Sequence, residues 1–311
     1  MKILESTRVV IIGAGAVGSS SAYAILTQGI CSELVLIDAN KARAEGEALD
    51  LEHGLSFVRP AKVWAGEYAD CATADIVVIT AGIAQQPGQS RLELAATNAK
   101  IIEDIVGKVV AQTKDAVIMI VTNPVDVLTH VATKAAALPW GQVFGTGTAL
   151  DSSRFQQLIG DYFHVAPQSV DALIIGEHGD SSLPIWSHAQ IGGALLKSFP
   201  EYDEAGVKAL YERAKTVVYD VIAKKGATNY AIGLGVSRYV RAILYNEGLV
   251  LPMSADLVGY LGHSDICLSV PCVIGRQGLV KQIALDLTED ERAAFQKSAE
   301  TIRQSIVSLN A

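Results

Sequence analysis

The 311-residue chain lacks several features, and each absence narrows what it can do. No uninterrupted apolar run approaches membrane-spanning length, so a transmembrane helix is not expected. Met1 to Thr7 has neither the basic cluster nor the apolar stretch of a signal peptide, so no leader is expected. There is no basic excess: 25 Lys and Arg stand against 33 Asp and Glu, a net charge of −8, which argues against nucleic acid as a main partner. A small anionic substrate remains possible, because a local pair of arginines can override the global sign. The four cysteines (Cys31, Cys71, Cys267 and Cys272) sit mostly in apolar surroundings and show no metal-ligand spacing. They read as buried free thiols in a reducing cytoplasm, and no metal site is expected. Repeats, low-complexity segments and linkers are also missing. What is present is a 50% hydrophobic composition with 19% charged residues, enough for a substantial core.

The first half alternates strand and helix. Arg8–Ile12, Leu34–Ile37, Ile76–Ile79 and Val117–Val121 are short apolar strands; Val17–Gln28, Lys41–Leu55 and Leu92–Gln112 read as helices. Short apolar strands between helices predict a parallel sheet covered on both faces. After about residue 145 the rhythm changes. Leu150–Phe163, Glu204–Lys224, Ala227–Tyr245 and Leu287–Leu309 are helical, Val170–Ile175 is strand-like, and Leu249–Ile274 reads as short antiparallel strands. Thr288 followed by acidic residues caps the last helix. The expected fold is α/β: a Rossmann-type doubly wound parallel sheet over residues 1–145, then an α+β catalytic and substrate domain over 146–311. The missing linker places a cleft between them.

Gly13-Ala-Gly15-Ala-Val-Gly18 follows the first strand and opens the first helix. The first glycine permits a tight turn, the second lets a pyrophosphate approach the backbone, and the third lets helix and sheet pack closely. Asp38 ends the next strand, where a carboxylate accepts hydrogen bonds from the adenosine ribose and repels a 2′-phosphate. The pattern favours NAD over NADP; its bland reading is a structural turn. A second candidate is Gly176-Glu177-His178-Gly179-Asp180. Imidazole titrates near physiological pH, so His178 is either a proton donor–acceptor or a plain turn residue. Asp151 and Arg154 lie three apart at a helix start and share a face. They are either a local salt bridge, or an orienting carboxylate for His178 and a bidentate fork for a substrate carboxylate. The polar stretch Ala81–Arg91 follows the strand Ile76–Ile79, at the sheet end where cofactors bind; it is long enough for a lid, or is an ordinary loop. Asn123-Pro124 offers an amide to a ribose hydroxyl or substrate oxygen, or merely ends a strand.

These stretches together, namely GAGAVG, Asp38, AQQPGQSR, VTNPVDV, LDSSRF, GEHGD and KGATNYAIG, resemble the lactate/malate dehydrogenase family along essentially the whole chain. The resemblance implies a reversible NADH-dependent reduction of a 2-oxo acid to an L-2-hydroxy acid. It implies His178 as the proton donor–acceptor with Asp151 as its partner. It implies Arg154 as the carboxylate anchor and Arg91 as the group that polarises the reacting carbonyl. Asn123 and Thr228 would lie near nicotinamide and substrate, Ile232 against the nicotinamide ring, and Val17 with the glycines at the cofactor. A homotetramer is expected from the resemblance alone.

Within the family, malate-selective members carry an arginine where this chain has Gln85. No Arg or Lys lies between Thr80 and Arg91, so a second carboxylate there would be buried unpaired. Pyruvate, a monocarboxylate, is therefore the expected substrate, with oxaloacetate the alternative. Bacterial members activated by fructose 1,6-bisphosphate carry a basic pair where this chain has Gln156 and Asp171, so weak or absent activation is expected. Related NAD-dependent glycosidases place a metal-binding cysteine just before Asn-Pro; Thr122 stands there instead. A silent structural protein would have no physical reason to retain Asp151, Arg154, His178 and Arg91.

Overall fold

A computed structural model describes residues 6–83 and 91–309. The first half runs β1 (Arg8–Ile12), α1 (Ala16–Thr27), β2 (Glu33–Ile37), α2 (Lys41–His53), β3 (Lys62–Ala65), β4 (Ile76–Ile79), α3 (Arg91–Val110), β5 (Val117–Ile120), α4 (Val125–Ala136) and β6 (Val143–Gly145). All six strands are parallel, in the order β6-β5-β4-β1-β2-β3. Alternate residues explain why. Val9, Ile11, Leu34, Leu36 and Val78 enter one core, while Val10, Ile12, Val35, Ile37, Val77 and Ile79 enter the other. A strand buried on both sides has no polar face to alternate with.

The second half runs α5 (Ala149–Tyr162), β7 (Val170–Asp171), β8 (Ile174–Ile175), β9 (Leu183–Pro184), β10 (Gln190–Ile191), β11 (Ala194–Leu195), α6 (Glu204–Lys225), α7 (Tyr230–Leu244), β12 (Leu249–Tyr260), β13 (His263–Gly275), β14 (Gly278–Gln282) and α8 (Glu289–Leu309). Here the structure corrects two sequence expectations. Val170–Ile175 is not one strand: β7 pairs with β10, and β8 pairs with β9. Leu249–Ile274 is not a set of short strands but mostly the long hairpin of β12 and β13, 12 and 13 residues each. Ser254 and Ser269 lie inside these two strands. They are fully buried because Gly147 packs so close that a Cβ on it would stand 2.3 Å from Ser269 Oγ. Small polar side chains are what fit.

The hairpin also joins the main sheet. β12 pairs antiparallel with β6 at Ser254 and Gly145, giving nine strands in the order β14-β13-β12-β6-β5-β4-β1-β2-β3. Otherwise β6 would be an open edge. Helices tie the halves as well. Gly233 of α7 approaches α1 so closely that a Cβ on it would stand 2.9 Å from the Ser20 backbone. Thr288 caps α8 as expected: the Glu291 amide donates to Thr288 Oγ1 (3.3 Å), and the Thr288 amide donates to Glu291 Oε2 (3.0 Å). α7 starts at Tyr230 rather than Ala227, because Gly226, at φ +84°, ends α6 and leaves Thr228 in the link.

Tyr239 sits at the sheet junction, fully buried. Its hydroxyl donates to the Pro252 carbonyl (2.9 Å) and lies 3.1 Å from that of Thr146. Tyr239→Phe should lower unfolding stability by about 1–2 kcal/mol, read as a lower urea midpoint with an unchanged slope; an unchanged midpoint would show the bond to be neutral.

Candidate active site

The site forms at the carboxyl ends of the parallel strands. Gly13 turns at φ +107°, and a Cβ there would meet the Ala81 amide nitrogen at 2.5 Å. A Cβ on Gly18 would stand 1.8 Å from the Gly13 carbonyl oxygen. Gly15, by contrast, has nothing within 4 Å of where its Cβ would be. Two glycines thus serve packing, and the third leaves open space over the start of α1. No side chain caps that helix, so its first-turn amides are left for an anion. Asp38 stands beside the turn: Oδ2 accepts from the Ala14 amide (2.7 Å) and Oδ1 from the Asn40 amide (2.8 Å). An open cradle, unspent amides and a fixed carboxylate fit a dinucleotide.

His178 is placed by a tight turn. Gly176 bends the chain at φ +85°, and its amide and carbonyl bridge to Ser269 on β13. The Glu177 amide donates to Ser298 Oγ (2.6 Å), and the Glu177 carboxylate accepts from the Ser181 amide (3.1 Å). The His178 amide donates to Asp126 Oδ2 (2.6 Å). With the backbone fixed, the ring Nδ1–H donates to Asp151 Oδ2 (2.5 Å), which leaves Nε2 to exchange a proton. Asp151 Oδ1 accepts from Arg154 Nη1 (3.0 Å). Both bland readings thus turn out to be part of a larger arrangement: the helix-start salt bridge exists and also orients the histidine. His178, Asp151, Arg154, Asn123, Thr228, Ile232 and Val17 line one cavity of about 430 Å³. Gly13, Gly15, Gly18 and Asp38 form the neighbouring turn. Gln85 lies outside the described residues; Arg91 opens α3, with its side chain outside them as well.

Comparison with known proteins agrees with this geometry. Residues 7–145 match the lactate/malate dehydrogenase NAD binding domain, and 148–311 match the family's alpha/beta C-terminal domain. The chain belongs to the lactate/malate dehydrogenase family. It is 46% identical over 304 residues to L-lactate dehydrogenase 2 of Bacillus cereus, covering 96% of this chain and 97% of that protein. It is 46% identical over 305 residues to L-lactate dehydrogenase of Priestia megaterium, covering 97% and 96%. Among solved structures, the minor L-lactate dehydrogenase of Enterococcus mundtii superposes with a TM-score of 0.95 at 42% identity, over 97% of this chain and 98% of that one. The first half of this dehydrogenase-family chain is therefore an NAD-binding domain, and the fold is the expected α/β one.

The electrostatics follow from the geometry. Burial alone would push His178 down, but the Asp151 carboxylate outweighs it and lifts the imidazole to about 9; Asp126 adds to the rise and Arg154 opposes it. Burial likewise works against the Asp151 charge, yet His178 and Arg154 hold its carboxyl below the usual value. Burial pushes Asp126 up to about 6, with Ser254 and the His178 amide restraining the rise. A histidine lifted from 6.5 to about 9 stabilises the fold fully below pH 6.5; that contribution fades as pH rises through about 9.

Sequence reasoning missed several residues here. Asp126 was only one letter of VTNPVDV, although an acid at the start of an apolar helix was a usable signal. Glu212, Lys215 and Tyr219 of α6 wall the cavity, and no sequence cue distinguished them from an ordinary polar helix face. Among the described residues, no group of three or more His, Cys, Asp or Glu is arranged for a metal.

Asp151→Asn removes the largest favourable partner of the imidazolium. Nuclear magnetic resonance titration should find the His178 value dropping from about 9 to 6.5 or below. A variant that still titrates near 9 would contradict this account.

Proposed function

We propose that this protein is an NAD-dependent L-lactate dehydrogenase that interconverts pyruvate and L-lactate. The observation that carries the reading is one cavity holding an Asp151-paired His178 beside Arg154 and the apolar Ile232, next to the dinucleotide turn. The names carried by relatives at 46% identity support the substrate. We assign residues 1–145 to cofactor binding and 146–311 to substrate binding and proton transfer.

When bound, NAD would supply or accept the hydride. Gly13, Gly15, Val17, Gly18 and the start of α1 would hold its pyrophosphate, Asp38 its ribose, and Ile232 the face of its nicotinamide ring. Arg154 takes the carboxylate of the 2-oxo acid with its planar fork. Imidazolium His178 delivers a proton from Nε2 to the carbonyl oxygen as the carbon is reduced. In the reverse direction the neutral ring takes that proton from the hydroxyl. Asp151 keeps the ring in the correct tautomer and stabilises its charge. Arg91 polarises the carbonyl, and Asn123 and Thr228 supply polar contacts. Because the resting imidazole is raised to about 9, the chain enters the reduction already protonated at neutral pH.

Gln85, a neutral residue, suits a methyl group and leaves a second carboxylate unpaired, so oxaloacetate is the disfavoured substrate. Gln156 Nε2 donates to the Ala172 carbonyl (3.1 Å), and Asp171 is acidic; neither welcomes a sugar bisphosphate. The family likeness supports a homotetramer, and Tyr23, Leu49, Tyr230 and Leu234 expose apolar area that assembly would cover; sedimentation at the mass of a single chain would refute it. Four buried free thiols support a cytoplasmic setting, where lactate formation re-oxidises NADH in glycolysis and fermentation.

Following NADH loss tests the substrate. kcat/KM should favour pyruvate over oxaloacetate, fructose 1,6-bisphosphate should lower the pyruvate KM little or not at all, and Gln85→Arg should shift preference toward oxaloacetate. A wild type that prefers oxaloacetate would overturn the reading. His178→Asn should lower kcat by about a hundredfold or more while NADH binding survives; near-normal turnover would remove His178 from the chemistry.

A further inference from the structure

Asn98 takes no part in the chemistry above, yet it is only 1% exposed. It lies on α3 among Ala95, Ala99 and Ile102, all of them buried. A buried amide is costly unless bonded, so its partners are informative. Oδ1 accepts from the Ile83 amide (2.9 Å), and Nδ2 donates back to the Ile83 carbonyl (3.3 Å). That reciprocal pair is what a neighbouring strand would offer. Nδ2 also donates to the Asn123 carbonyl (3.0 Å).

Ile83 lies just beyond β4, and Asn123 just beyond β5. These are adjacent parallel strands, and Asn98 ties together the two chain segments leaving their carboxyl ends. The surroundings leave no slack. Thr122 Oγ1 donates to the Ala81 carbonyl (2.7 Å), and a Cβ on Gly82 would stand 2.4 Å from Thr122 Cγ2 and 3.2 Å from Asn98 Oδ1. Beyond the tie, Asn123 itself lines the cavity with His178 and Arg154.

We infer that Asn98 is a positioning residue: by holding the Asn123 carbonyl and the Ile83 peptide, it fixes where the Asn123 carboxamide stands in the cavity. This rests on reading the cavity as the reaction site. The carboxamide is specified by its bonds. Aspartate would keep the acceptor but set a second oxygen against two carbonyls. Alanine would remove all three bonds and with them the tie between the two segments.

The test uses the full chain with Asn98→Asp and Asn98→Ala, assayed with whichever 2-oxo acid the wild type reduces fastest. kcat/KM should fall roughly tenfold to a hundredfold, mostly in kcat. NADH affinity, read by fluorescence, should stay within about threefold, because the glycine turn and Asp38 are untouched. Hydrogen exchange at the Ile83 amide should accelerate. Asn98→Gln keeps both donors and the acceptor but displaces them by one methylene, so its kcat should lie between those of the wild type and Asn98→Ala; should the other two fail to fold, its loss of kcat against the wild type, with NADH affinity kept, carries the measurement. Variants with wild-type kcat and KM, whatever their melting temperature, would overturn the inference. A wild type inactive on every 2-oxo acid would instead refute the reading of the cavity, so the two failures are distinguishable.

Discussion

The candidate site depends on keeping the His178 imidazole and the Asp151 carboxylate in contact, 2.5 Å apart, with both side chains largely withdrawn from solvent. Neither charge is comfortable there alone. Burial works against the charged form of both, and each supplies what outweighs the penalty on the other. The surrounding structure keeps that pair together. Asp126 holds the histidine backbone from below, Ser298 and Ser269 hold the turn on either side, and Arg154 shares the Asp151 carboxylate. Much of the second half is scaffolding for the short turn 176–180.

The scaffolding has a price in freedom of sequence. Gly176 must adopt φ +85°, and a Cβ there would stand 2.7 Å from Ser298 Oγ. Gly147 leaves no room beside Ser269. A side chain would collide at either place, with the Ser298 and Leu183 side chains at Gly176 and with the Ser269 hydroxyl and the Ser254 backbone at Gly147. The same packing leaves room for Ser254 and Ser269 in the interiors of two long, largely apolar strands.

Much of this was legible in the sequence, for a physical reason. β1 and β4 were read to the residue because a strand buried on both faces leaves an unbroken apolar run. The glycine turn, Asp38, Asp151, Arg154 and His178 stood out in the sequence by residue type and spacing, and the fold brings the last three to one cavity beside the turn. Less legible were residues whose value lies in a partner far along the chain. Asp126 reaches His178 across 52 positions, and Ser298 reaches Glu177 across 121. β3 and β6 escaped notice because they are short: Lys62 and Ala65 dilute one, and three residues make up the other. Val170–Ile175 misled because an apolar run does not say which neighbours its two ends will find.

The β12–β6 pairing bears on motion. Gly145 pairs with Ser254, the Thr148 amide donates to Ser269 Oγ, and α1 lies directly on α7. The two halves of the molecule are stitched through one continuous sheet rather than joined at a hinge. Swinging them apart would break the sheet and uncover the Tyr239 hydroxyl. The placing of the glycine turn relative to the His178 turn is thus a property of one continuous sheet, to which Gly176 is bridged at Ser269, and not of a joint between two bodies. The walls that close the cavity over that frame, Glu212, Lys215 and Tyr219 of α6 and Ile232 of α7, come from helices outside the sheet, so frame and enclosure are separate parts of the molecule.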